Sequence, residues 1–62
     1  MSAQSKTIRR AYIREYSDSG QITAYVEWSD GSRTEGDRTS THMLSLLRRA
    51  LNETGKVEYE TW

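Results

Sequence analysis

Apolar and polar residues alternate strictly across residues 21–29. Ile22, Ala24, Val26 and Trp28 fall on one side, and Thr23, Tyr25 and Glu27 on the other. A period of two predicts a half-buried strand. Residues 7–16 are rich in β-forming side chains and end at Ser17, Asp18, Ser19 and Gly20, a cluster of turn formers. The two segments therefore predict a β-hairpin. A four-residue loop over 17–20 sets Tyr16 opposite Gln21. In that register Ile13 faces Ala24 and Ala11 faces Val26 on the inner side. On the outer side Tyr12 meets Tyr25 and Arg10 meets Glu27, an aromatic pair and a charge pair that both favour it. A slip of one residue would send Arg10 and Tyr12 inward.

Asp30-Gly31 signals a second hairpin turn. A two-residue turn would bring Arg33 and Glu35 beneath Val26 and Trp28. A loop with an odd number of residues, such as 30–32, places Thr34 and Gly36 there instead. The third strand, about residues 33–37, is short and charged, as a sheet edge tends to be. Thr39, Ser40 and Thr41 then offer a helix N-cap. Met43, Leu44, Leu47, Ala50 and Leu51 recur at helical spacing with Leu46 at the stripe's edge, and Gly55 stands where a left-handed C-cap is expected. Lys56 to Trp62 alternates again and predicts a last strand.

The fold expected is α+β: a small antiparallel sheet in the order β-β-β-α-β, with one amphipathic helix on one face. Residues 1–6 read as a frayed polar arm and 7–62 as a single domain. If Val57 and Tyr59 look toward the helix, Glu58 and Glu60 fall on the side where the first strand displays Arg10 and Arg14. Charge matching then docks the last strand beside the first, in the sheet order 3-2-1-4. A right-handed crossover through the helix permits that arrangement.

One helix cannot cover both faces of this sheet. The open face is expected to carry Ile8, Arg10, Tyr12, Arg14 and Tyr16 from the first strand. Thr23, Tyr25 and Glu27 join them from the second, and Glu58, Glu60 and Trp62 from the last. Tyr, Trp and Arg are the residue types enriched at binding hot spots. This face, through Arg10, Tyr12, Arg14, Tyr16, Tyr25, Glu27 and Trp62, is the first candidate surface for a protein partner or for a homodimer. The second candidate is an acidic lobe formed by Asp30, Glu35 and Asp37 in the polar stretch before the helix.

With 62 residues the chain is one small domain, and at that size only about 60% of the unfolded surface is buried. Nine Lys plus Arg balance nine Asp plus Glu, yet the charge is segregated, at +4, −5, +3 and −2 over residues 1–14, 15–37, 38–52 and 53–62. A neutral balance argues against a general nucleic-acid binder. The alternative that survives is local contact with phosphates through Arg9, Arg38, Arg48 and Arg49, or through rings and guanidinium groups of the open sheet face. No Cys is present, so disulfides and thiol chemistry are excluded. The single His42 has no metal-ligand spacing around it, and no Ser or Thr has a base to activate it. The expectation is a non-catalytic protein with no metal, no cofactor and no membrane span.

In its size, in the turns Asp18-Ser19-Gly20 and Ser29-Asp30-Gly31, and in its sheet-plus-helix layout, the chain resembles small phage-encoded inhibitors, including the anti-CRISPR proteins. That resemblance implies a cytoplasmic protein of the infected host that blocks an effector complex by masking a nucleic-acid channel or a subunit interface. It implies a mode of action and assigns no individual residue.

Overall fold

The computed structural model describes residues 6–62. The arm expected at residues 1–5 lies outside the described residues. Lys6, counted with that arm, is held: its ammonium stands 3.7 Å from Asp30 and lies over the Trp28 ring.

The elements are β1 (Ile8–Glu15), β2 (Ile22–Trp28), β3 (Arg33–Asp37), α1 (Thr41–Thr54) and β4 (Glu58–Thr61), in the sheet order β3-β2-β1-β4. The expected strand order and α+β class therefore hold, but the sheet is mixed where an antiparallel one was expected. The two hairpins leave β3 running along β1. The helix carries the chain back, so β4 enters parallel to β1, with Tyr12 beside Glu58 and Arg14 beside Glu60.

The first hairpin has the expected register from Arg10↔Glu27 to Glu15↔Ile22, closed by Tyr16 N–H to the Gln21 carbonyl at 2.9 Å. Below Arg10 it breaks. A bulge at Arg9 shifts the pairing so that Ile8 faces Trp28. Ile8, expected on the open face, is thereby returned to the core and is buried. The extra residue restores the inward parity that an unbroken strand would lose. The Ile8 amide is accepted by Glu53 Oε1 on α1 at 2.8 Å.

In the second hairpin Val26 pairs with Thr34 and Ala24 with Gly36, so the favoured inward positions of β3 hold. The loop itself comprises residues 29–31, one residue earlier than the example of 30–32. Trp28 N–H bonds the Ser32 carbonyl and Gly31 adopts φ 92°. The last position of a three-residue hairpin loop takes the left-handed conformation, and placing it at Gly31 avoids the strain a side chain would meet there.

Ser40 caps α1 by accepting the Met43 N–H at 3.1 Å. Gly55 ends it at φ 85°, donating to the Leu51 carbonyl at 3.0 Å. The core joins Ile8, Ala11, Ala24, Val26 and Trp28 of the sheet to Met43 and Ala50 of the helix, flanked by Ile13, Leu46, Leu47 and Val57. The buried Trp28 indole N–H is satisfied by Thr34 Oγ1 at 2.9 Å. Opposite, Met43 presses on Gly36, where an added Cβ would come within 3.0 Å of Met43 Cγ.

Candidate functional site

The side of the sheet away from α1 is not the open aromatic platform expected. Tyr12 is 3% exposed and Tyr25 6%. The two rings stack across the hairpin at 5.0 Å between centroids, 19° from parallel. Arginines cover them: Arg10 lies 4.4 Å above Tyr12, Arg14 5.2 Å from Tyr25, and Arg33 5.3 Å from Tyr25 on its other flank. The long stem and flat head of Arg suit it to cover a ring while keeping its charge at the surface.

Carboxylates on both sides pin the guanidinium groups. Arg10 bonds both Glu58 oxygens at 3.2 Å and stands 3.6 Å from Glu27. Arg14 bonds Glu60 at 3.0 Å, and Arg33 lies 3.6 Å from Glu35. The hydrogen bond from Arg10 holds the Glu58 carboxyl below its ordinary range, and that from Arg14 does the same for Glu60. In return Glu58 raises the Arg10 guanidinium, and Tyr16 and Glu60 raise that of Arg14. The two tyrosine hydroxyls at the rim, Tyr16 and Tyr25, meet at 3.0 Å. That contact lowers the Tyr16 hydroxyl and raises that of Tyr25.

The seven residues assigned to the sheet face are thus brought together, but Tyr12 and Tyr25 are covered and cannot offer rings to a partner. Three guanidinium groups meet four carboxylates here (Arg10, Arg14 and Arg33; Glu27, Glu35, Glu58 and Glu60). Such a face has no excess positive charge for a phosphate backbone. Trp62 is the exception to its closure. It is 64% exposed, with Arg14 4.3 Å above its ring.

The acidic lobe does not form. Asp30 sits in the turn before β3, where Ser32 holds its carboxyl below the ordinary range. Asp37 closes the far end of the same strand and is lowered by Thr39. Glu35 projects between them onto the arginine-covered face beside Arg33. A hairpin strand separates what lies close in sequence. The four arginines of the nucleic-acid alternative are likewise dispersed. Arg9 stands at the bulge, lining a shallow cleft of about 250 Å³ with Glu27, Trp28, Gly31 and Arg33. Arg38 follows the opposite end of β3, and Arg48 lies on the outer face of α1. Arg49 is engaged by Glu53 and the Lys6 carbonyl and covers Trp28.

What the sequence reading missed lies on the other side. Leu44 is 54% exposed, Leu51 53% and Tyr59 56%, although all three were assigned to the helix–sheet contact. The helix packs on β1, β2 and β3 and, among the described residues, does not reach β4. At about 100° per residue, Leu44 and Leu51 share one flank of α1, opposite Arg49 and Glu53. Arg49 and Glu53 reach Lys6, Ile8 and Trp28 on the β1–β2 side. The leucine flank therefore overhangs the side where β4 lies, and Tyr59 shares the inner face with its neighbour Ile13. The Tyr59 hydroxyl donates to Glu15 at 2.6 Å, which raises it, while nearby Arg38 acts in the opposite sense. A signal was present: six apolar residues in a helix of fourteen form a stripe wider than part of a small sheet can bury.

Among the described residues no group of His, Cys, Asp and Glu is placed to hold a metal ion, and no helix is long and apolar enough to cross a membrane. Comparisons with family models, with curated proteins and with solved structures returned no match to the chain.

Proposed function

We propose that the protein is a non-catalytic protein-interaction module, working by occupying a surface of its partner. One observation carries this reading. Of the four large apolar side chains exposed among the described residues, Leu44 and Leu51 share one flank of α1 and Tyr59 stands on the same face of the sheet, while Trp62 ends the chain on the opposite face. Scattered apolar residues are ordinary on a protein surface, whereas a gathered group marks a place meant to be covered. The sheet face first favoured for this purpose contributes Trp62 and its rim. Its two central tyrosines serve the fold.

An inhibitor that blocks a host effector complex by occlusion is the narrower form of this proposal, motivated by the resemblance to small phage-encoded inhibitors. The test is affinity capture from the source cell with the wild-type chain, Leu44→Asp/Leu51→Asp and Trp62→Ala, each checked for folding by circular dichroism. A specific partner lost with either variant supports the module. A partner retained by both variants, or binding to DNA or RNA that falls steeply with salt, overturns it.

A further inference from the structure

The bare flank between α1 and β4 has the dimensions and the charge of a particular kind of occupant. Leu44 and Leu51 are seven residues apart on α1, about 10 Å along its axis. Apolar residues at i, i+4 and i+7 of a second helix span the same length. Helices pack about 8–10 Å apart, and strands are spaced by about 4.8 Å. A second helix beside α1 would therefore lie above β4, over Tyr59, where the sheet is uncovered.

Charge decides between occupants. Arg48 borders Leu44 in an open depression on the outer side of α1. Arg38 stands close to the Tyr59 hydroxyl. The side chains of these two cations form no ion pair or hydrogen bond among the described residues. The Glu15 carboxylate beside the flank is occupied by Tyr59. A second copy of the chain would bring the same two cations against themselves. A helix with acidic margins would complement them.

We propose that this flank docks an amphipathic helix with acidic margins, supplied by a partner protein. Leu44, Leu51 and Tyr59 receive its apolar stripe, and Arg38 and Arg48 face its carboxylates. This rests on the interaction-module reading and names the partner's recognition element.

The probe is a synthetic helical peptide with leucines at i, i+4, i+7 and i+11 and glutamates flanking them, titrated into the isotope-labelled full chain by NMR. The same peptide with lysines in place of the glutamates is the control. The expected result is shift changes centred on Leu44, Leu51 and Tyr59. The lysine peptide and the Arg48→Glu variant should each bind roughly tenfold more weakly. Equal binding of both peptides, absence of binding at millimolar concentration, or shifts centred on Tyr16 and Trp62 would overturn the assignment. So would a dimer in sedimentation that Leu44→Asp dissolves, since a second copy would then own the flank. If a captured partner depends on Leu44 while the acidic peptide fails, the charge assignment falls and the module reading stands. If neither holds, both fall.

Discussion

The two faces of the sheet are buried by different physics. On one, α1 lays Met43 and Ala50 over Ala24 and Val26, each at most 2% exposed, and the contact is hydrocarbon on hydrocarbon. On the other, among the described residues, no element arrives. Tyr12 and Tyr25 are buried almost as deeply, by the stems and heads of Arg10, Arg14 and Arg33, held in place by glutamates from β2, β3 and β4. The first face depends on volume and shape. The second depends in part on charge, because ionised carboxylates help hold the guanidinium groups over the rings. Among the described residues one helix and three arginines thus close two faces, and what stays uncovered is Trp62 and the strip beside α1 that neither device reaches.

The comparison breaks most visibly at the hydrocarbon face. Met43→Ala removes a fully buried side chain and leaves a cavity against Gly36, for a loss of about 2–5 kcal/mol in urea titration. Stability of small domains is only about 5–15 kcal/mol, so this variant should sit close to unfolding. Its penalty should be the same in dilute buffer and at about 1 M salt.

A smaller effect is expected at the other face. Arg14→Met keeps the stem over the rings and removes the head that bonds Glu60. Its Tm should fall by less than that of Met43→Ala. The difference from wild type should shrink at about 1 M salt, where the screening length is about 3 Å. A salt-independent penalty at Arg14 would mean that the two faces do not differ in kind.

Acid separates them in the wild-type chain. Glu58 and Glu60 titrate lower in the folded chain than when unfolded. The folded state therefore holds fewer protons, and stability rises with pH across that range. Their contribution is complete above the unfolded carboxylate value of about 4.3 and is lost as pH falls through the lowered folded values. Thermal melts between neutral pH and about pH 3 should show this slope. Glu58→Gln/Glu60→Gln should flatten it, leaving the part due to Asp30, Asp37 and Glu53, which are lowered in the same sense. Met43→Ala should leave it unchanged.

The smallest effect is expected from deleting Arg9. Its removal converts the bulge into regular pairing while Ile8 stays opposite Trp28 and inward. The variant should fold with nearly unchanged Tm. Collapse of the fold would show that the bulge carries stability of its own.

The hairpin register was readable because turn residues, alternation and cross-strand pairs all agreed on Ala11, Tyr12, Ile13 and their partners. The place of β4 was readable from charge alone, since Glu58 and Glu60 alternate in step with Arg10 and Arg14. The bulge was not, because nothing at Arg9 distinguishes an unpaired residue from a paired one until Ile8 must be buried. The covering of Tyr12 and Tyr25 was hidden for another reason. It needs arginines from β1 and β3 and carboxylates from β2, β3 and β4 at once, an arrangement that exists only after the sheet has closed. The bare flank depends on how far α1 reaches across the sheet, which periodicity along one helix does not encode.

The most direct test is exposure of individual side chains to a soluble paramagnetic probe, read by NMR in the full chain. Strong attenuation is expected at the Leu44 and Leu51 methyls and the Tyr59 and Trp62 rings, with the Tyr12 and Tyr25 rings protected to the level of Val26. Attenuation of Tyr12 and Tyr25 matching that of Trp62 would contradict the account, for it would leave the sheet face as open as the flank of α1.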